Sequence, residues 1–108
     1  MTTPPSSFSS SNTPFELEGE AHGTSVSFIL VDMPPGEGVR LHTHPYAEIF
    51  IVQEGHVTYT LGRATIDVVA PRTLIGPGNV PHGFTNVGDV RLKPVDIHLN
   101  PKFITEWL

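Results

Sequence analysis

The stretch GEGVRLHTHPYAEIFIVQEG, residues 36–55, decides the fold and carries much of the chemistry of the chain. His42 and His44 lie two apart in a run of strand-forming residues, so on a β-strand both imidazoles point to one face, about 6.5 Å apart. Pro45 removes a backbone donor and ends this strand. We expect the strand that begins at Ala47 to return alongside it, which would place Glu48 opposite the histidine pair.

A third imidazole is expected from His82, which lies on a separate strand and shares strand parity with Phe84 and Asn86. Two imidazole nitrogens and a carboxylate oxygen suit a divalent transition metal and leave coordination positions open. A buried carboxylate without a partner is costly. The pattern therefore predicts a site that either holds a cation or is wet.

With these spacings the chain resembles the cupin family, which is defined by two motifs. The first motif is present with every spacing intact, in Gly36, His42, His44, Glu48 and Gly55. The second is present in Pro77, Asn79, His82 and Asn86.

The second motif departs from the family pattern at two positions, where Pro71 and Asn79 replace the usual glycines. Asn tolerates a left-handed backbone better than other non-glycine residues, so we expect the turn to survive. The resemblance covers about residues 26–99. It implies a double-stranded β-helix, or jelly-roll barrel, that binds one divalent metal ion through His42, His44, Glu48 and His82.

Outside the motifs the chain reads as an all-β protein, because short runs rich in Val, Ile, Thr, Phe and Tyr alternate with Gly, Pro and Asn. The predicted strands are Ser25–Val31, Val39–His44, Ala47–Gln53, His56–Leu61, Ala64–Val69, Thr73–Ile75, Gly83–Asn86 and Val90–Leu99. Only the C-terminus has helical signals, with Asn100 as a cap and Pro101 at the first helical position. We predict a short helical turn there that closes one end of the barrel or packs on another subunit.

Composition and charge predict the domain organisation of the chain and argue against two classes of partner. Residues 1–14, mostly Ser, Thr, Pro and Asn, are predicted to form a disordered arm, with one cupin domain over 15–108. The chain has 6 Lys and Arg against 11 Asp and Glu, a formal charge of −5, which argues against nucleic acid and anionic membranes as partners. Without a signal peptide or a membrane-spanning run, a cytoplasmic protein is expected.

Substrate contacts are expected from residues that share a face with the ligands or add an aromatic wall. These are Arg40, Tyr46, Phe50, Phe84 and His98. Arg40 would anchor an anionic ligand at the barrel mouth, although an Arg near a strand end is more often simply exposed. His98 either lines the pocket or lies at the surface or in a subunit contact, and aromatic residues in a small barrel more often pack in the core.

Two classes of function remain open from the sequence. In the first, the chain is an enzyme acting on a small oxygen-rich or aromatic acid: Fe or Mn would support cleavage by dioxygen, and Zn or Ni would polarise a carbonyl for isomerase or lyase chemistry. In the second, it is a non-catalytic module that binds or senses a small ligand. A metal-free sugar epimerase is disfavoured because it would not need four ligands.

A homodimer is the expected assembly, because the resemblance implies it. The run Ser25–Val31 points the same way, since it is apolar on both faces and would leave an exposed edge unless another chain or the N-terminal segment covered it.

Overall fold

The computed structural model describes residues 11, 13 and 15–108. Within this part of the chain, ten antiparallel strands form two five-stranded sheets that pack face to face, which confirms the predicted all-β barrel. The strands are β1 (Glu16–Leu17), β2 (Ser27–Leu30), β3 (Gly38–Thr43), β4 (Glu48–Glu54), β5 (His56–Leu61), β6 (Ala64–Val69), β7 (Arg72–Gly76), β8 (His82–Asn86), β9 (Lys93–His98) and β10 (Glu106–Trp107). A 3-10 helix spans Gly19–His22.

The two sheets have the strand orders β1-β2-β9-β4-β7 and β10-β3-β8-β5-β6. The expectation that β4 returns alongside β3 is therefore wrong, because these strands lie in different sheets. β3 forms its hydrogen bonds with β8 and β10, and β4 forms its bonds with β7 and β9. The segment around Pro45 crosses from one sheet to the other, so Glu48 faces His42 and His44 across the barrel interior.

The core lies between the inner faces of the sheets and reaches the histidines, since the rings of Phe50 and His82 lie 5.3 Å apart between centroids. Its fully or almost fully buried apolar residues are Phe50, Val52, Val57, Tyr59, Val68, Phe84 and Leu92. Along β4, Phe50 and Val52 point inward while Ile49 and Ile51 alternate with them on the outer face. This alternation also turns Glu48 inward, because it lies two residues before Phe50.

The C-terminal segment forms a strand, and the predicted helical turn is wrong. Asn100 does not cap a helix: its side-chain amide donates to the carbonyl of Lys102 at 2.8 Å. The chain then runs extended, and β10 pairs with the end of β3, where Trp107 lies opposite His42. An open edge of β3 offers backbone partners that an isolated helical turn lacks, which explains the outcome. The segment does close one end of the barrel.

At the other end of the chain, β1 pairs with β2, so the N-terminal segment covers the edge that the sequence left open. The predicted arm over 1–14 lies outside the described residues except for Ser11 and Thr13. Among the described residues, no helix is long and apolar enough to cross a membrane.

Candidate metal centre

The four predicted metal ligands come together at one end of the barrel, where strands begin or end. His42 lies near the end of β3 and His44 just beyond it, while Glu48 begins β4 and His82 begins β8. Each is at most 6% exposed. One ligand atom from each residue lies within 4.8 Å of those of the other three, so a single ion can contact all four.

The backbone orients the three imidazoles in the same way, because each directs its Nδ1 atom at a carbonyl oxygen. The pairs are His42 with Arg40 (2.7 Å), His44 with Ile104 (2.7 Å) and His82 with Val80 (3.3 Å). An Nδ1–H that donates to a carbonyl leaves the Nε2 lone pair free, which is the tautomer that binds metals. These carbonyls therefore prepare three nitrogen ligands.

The second part of the site is the Glu48 carboxylate, whose Oε1 lies 3.1 Å from Nε2 of His44 and 3.2 Å from Nε2 of His82. These three buried atoms have no ordinary hydrogen-bond partner among the described residues. With both Nδ1–H groups donating to carbonyls, lone pairs face lone pairs at this point. Such an arrangement is stable only when positive charge lies between the atoms.

Electrostatics point to the same need for positive charge. Burial by itself raises the pKa of Glu48, but contacts with His44, His82 and His98 outweigh it and hold that pKa well below its usual range. Burial lowers the pKa of His44, yet the Glu48 carboxylate overcomes this and raises it. The carboxylate thus attracts a cation, either a proton on an imidazole or a metal ion. Three imidazole nitrogens and one carboxylate oxygen fit a divalent transition metal, and this donor set does not select among Fe, Mn, Zn and Ni.

His98 also reaches Glu48, but through a different set of contacts. Its Nε2 lies 3.3 Å from Glu48 Oε2, and its Nδ1 lies 2.7 Å from the hydroxyl of Tyr46. Since that hydroxyl accepts the Ile104 N–H at 3.1 Å, its own hydrogen is available to His98. Nε2–H of His98 can then donate to Glu48. This chain of contacts orients the carboxylate from its second oxygen.

A cavity of about 210 Å³ adjoins the four ligands. Three of the residues predicted to contact substrate line it, namely Phe50, Phe84 and His98. Tyr46 is absent from its wall and instead stacks on His44, with 5.1 Å between ring centroids.

Arg40 also lies away from the cavity, since a β-bulge separates it from the face of His42. Val39 pairs with Phe84 and His42 with His82, so two residues of β3, Arg40 and Leu41, oppose one residue of β8, Gly83. Val39 therefore lines the cavity, whereas Arg40 is exposed and lies over the Trp107 ring, 5.1 Å from its centroid. Its contact with substrate stays a prediction.

The sequence interpretation did not assign six further cavity residues, which are the aliphatic Ile29, Val31 and Val39 together with Asp96, Thr105 and Trp107. The ring of Trp107 packs on His42 with 4.8 Å between centroids. Neither it nor Thr105 could have been found from a helical reading of the C-terminus. For Asp96 a signal existed, because it shares strand parity with His98.

Comparison with known proteins agrees with this geometry. The Cupin domain family model matches residues 29–98. The chain is 40% identical over 73 residues to polyketide synthase CurC of Streptomyces cyaneus, a match that covers 67% of this chain and 47% of that protein. It is 34% identical over 70 residues to the H2HPP isomerase of Bacillus subtilis, with 64% and 30% covered, so it spans less than half the length of either curated relative. A solved cupin-like protein from Thermotoga maritima matches with a TM-score of 0.74 and 25% identity over 86% of this chain and 72% of that one.

Proposed function

The chain belongs to the cupin family, and we propose that it is an enzyme that uses one divalent transition metal ion to act on a small oxygen-rich or aromatic acid. His42, His44, Glu48 and His82 would hold the ion. The observation that carries this proposal is the set of buried, unpartnered ligand atoms that converge beside a cavity of about 210 Å³. Of the two chemistries open from the sequence, the isomerase relative favours carbonyl isomerase or lyase chemistry over attack by dioxygen.

The protein supplies a shaped and largely apolar environment for this chemistry. Phe50 and Phe84 line the cavity next to the ligands with apolar rings. His98 and Tyr46 hold the Glu48 carboxylate in place. When bound, a divalent ion polarises a carbonyl and stabilises the negative charge that forms on its oxygen.

Metal analysis followed by a substrate screen tests the proposal. Protein purified without an affinity tag should contain close to one transition metal ion per chain, and His44→Ala should contain none. Aromatic 2-oxo acids and 1,3-dicarbonyl acids would then be followed by proton NMR in deuterated buffer and with an oxygen electrode. Turnover by the wild type and not by His44→Ala supports the enzyme. Full metal occupancy without turnover, together with an unchanged co-purified ligand, would instead establish the non-catalytic binding module.

We also propose that the protein is a homodimer formed through the outer face of the first sheet. One row of apolar side chains crosses all five strands on this face: Leu17, Phe28, Ile97, Ile49 and Ile75. A second row continues it with Leu30, Val95 and Ile51. Ile75 is 62% exposed and Leu30 is 52% exposed, and an apolar face of this extent on a sheet favours association.

Light scattering coupled to size exclusion tests the dimer, with wild type expected at twice the 11.8 kDa of one chain. Ile75→Lys on the proposed face should give a monomer. Val69→Lys is the matched control, since Val69 is 64% exposed but lies on an edge strand of the other sheet. A monomeric wild type, or dissociation by Val69→Lys alone, would contradict this interface.

A further inference from the structure

A second polar group lines the cavity, and neither the metal centre nor the fold accounts for it. Asp96 lies on the inner face of β9, two residues before His98, and is 5% exposed. Its direct neighbours on the adjoining strands are Ile29 of β2 and Phe50 of β4, both apolar. An acidic side chain thus stands in an apolar part of the cavity wall.

The carboxyl group of Asp96 has an unused hydrogen-bonding atom. Its buried Oδ1 finds no partner among the described residues, and neither does the hydroxyl of Tyr59, so these two buried groups do not bond each other. Burial, and to a lesser extent the Glu48 carboxylate, raises the pKa of Asp96 well above its ordinary range. A protonated carboxyl both donates and accepts a hydrogen bond. A buried group of this kind without a partner destabilises a fold, so a structural role does not explain it.

We propose that Asp96 is a specificity residue that hydrogen-bonds a hydroxyl or carbonyl oxygen at the end of the substrate away from the metal centre. This inference rests on the proposed function, because it takes the other end of the substrate to be an acid bound at the metal. Along β9, Asp96 and His98 are separated by about 7 Å, since a strand rises about 3.4 Å per residue. Both line the same cavity.

The size of the cavity defines the substrate further. A cavity of about 150 Å³ accommodates benzene, so the 210 Å³ found here accommodates one ring with two small substituents. Apolar side chains such as Val31, Val39 and Phe84 face the body of such a molecule. The substrate class is therefore a single-ring acid, or a molecule of similar size, with a second oxygen across from its carboxylate.

Matched probes test this assignment. Protein loaded with Zn²⁺ would be titrated calorimetrically at pH 7 with 3- and 4-hydroxybenzoate and with the 3- and 4-methylbenzoates, which have similar shapes but no hydroxyl. In the wild type, at least one hydroxyl probe should bind about tenfold more tightly than its methyl counterpart, because a site built for a hydroxyl rejects an analogue that leaves a polar group unpaired. Asp96→Leu should abolish this preference while binding Zn²⁺ with unchanged stoichiometry. Asp96→Asn should keep part of it.

A second readout does not depend on the probes. Asp96→Leu should raise the Tm of the metal-free protein by about 4 °C or more, because it removes an unpartnered buried polar group. A lower Tm would mean that the carboxyl supports the fold and would overturn the assignment. Equal binding of hydroxyl and methyl probes by the wild type would also overturn it, but would leave the metal-dependent function standing. If Zn²⁺ binds and none of the four probes does, the proposed substrate class is wrong and the proposed role of Asp96 is refuted as well.

Discussion

Substitution of Tyr59 by Phe should stabilise the protein, the reverse of the usual effect of a change in a core. Tyr59 is fully buried, and its ring packs between those of Phe50 and Phe84, with centroid distances of 4.9 and 5.4 Å. Its hydroxyl has no hydrogen-bond partner among the described residues. Burial, and secondarily the neighbouring Asp96, raises the pKa of this phenol, so the group stays neutral and simply loses its hydration on folding.

The size of the effect follows from the missing partner. A buried donor or acceptor left unsatisfied costs about 1–3 kcal/mol. Phe keeps the ring and its packing. The small space left by the missing oxygen atom offsets only part of the stabilisation gained by removing the unsatisfied hydroxyl. We therefore expect Tyr59→Phe to raise the free energy of unfolding by about 1 kcal/mol. For a domain of this size that corresponds to an increase of about 4–8 °C in Tm.

The other tyrosine of the chain provides a matched control, because its hydroxyl is fully engaged. Tyr46 accepts the Ile104 N–H at 3.1 Å and lies 2.7 Å from Nδ1 of His98. Tyr46→Phe should lower the free energy of unfolding by about 1–2 kcal/mol, since each lost hydrogen bond is worth about 1 kcal/mol. Both variants would be unfolded in urea with EDTA present, so that bound metal does not shift the midpoints.

The expected result is that the free energy of unfolding rises in Tyr59→Phe and falls in Tyr46→Phe. A midpoint for Tyr59→Phe that falls below that of the wild type, with an unchanged m-value, would refute the reasoning. It would show that the Tyr59 hydroxyl has a partner in solution.

Three further predictions concern the site and its supports. His44→Ala should no longer retain metal in elemental analysis, while its far-UV circular dichroism stays unchanged because apolar burial stabilises the barrel. The control His56→Ala, outside the cavity, should retain metal. Loss of the β-sheet signal in His44→Ala would contradict the prediction that the barrel does not depend on the ion. Gly83→Ala should destabilise the fold by about 1–3 kcal/mol, since the added Cβ would lie 2.7 Å from the Val39 carbonyl oxygen. A Tm equal to that of the wild type would disprove this close approach. The fold lowers the pKa of Glu48 below 4.5, so the unfolded chain binds a proton more readily at this residue, and the free energy of unfolding of the metal-free protein should fall as the pH drops below about 4.5. Glu48→Gln should make the free energy of unfolding depend less on pH in this range. An equal pH dependence in both proteins would contradict the prediction.

Much of the barrel was predictable because local alternation and turn residues determine where strands lie. The strand over His56–Leu61 was predicted with its observed bounds. Asn79 was expected to replace a glycine in a left-handed turn, and it has φ 63°. Its N–H donates to the carbonyl of His44 at 2.7 Å, which holds the second motif beside the first.

The pairing of strands was less predictable, because alternation does not distinguish a hairpin from a crossing between sheets. The same limit applies to the bulge before His42, where one extra residue turns Arg40 away from the face that parity predicts. The C-terminal strand was missed for a related reason. Its conformation depends on the free edge of β3, which is distant in sequence.

In β9 the polarity pattern is inverted relative to burial. Ordinary reasoning would place Val95 and Ile97 inside and Asp96 and His98 outside, but the structure buries the polar pair and leaves the apolar pair half-exposed. The polar residues serve the cavity, and the apolar ones belong to the outer face proposed for the dimer. On both faces of β9, therefore, the usual preference for buried apolar and exposed polar side chains is reversed.

The C-terminal segment contacts both the cavity and one of the proposed metal ligands. Trp107 and Thr105 line the cavity, and the neighbouring Ile104 carbonyl accepts a hydrogen bond from Nδ1–H of His44, which fixes its tautomer. A displacement of the segment that carried Ile104 away from His44 would remove that acceptor. Coupling of this kind is reciprocal, so an occupant that holds the segment in place should strengthen binding of the ion, and the ion should strengthen binding of the occupant by the same free energy.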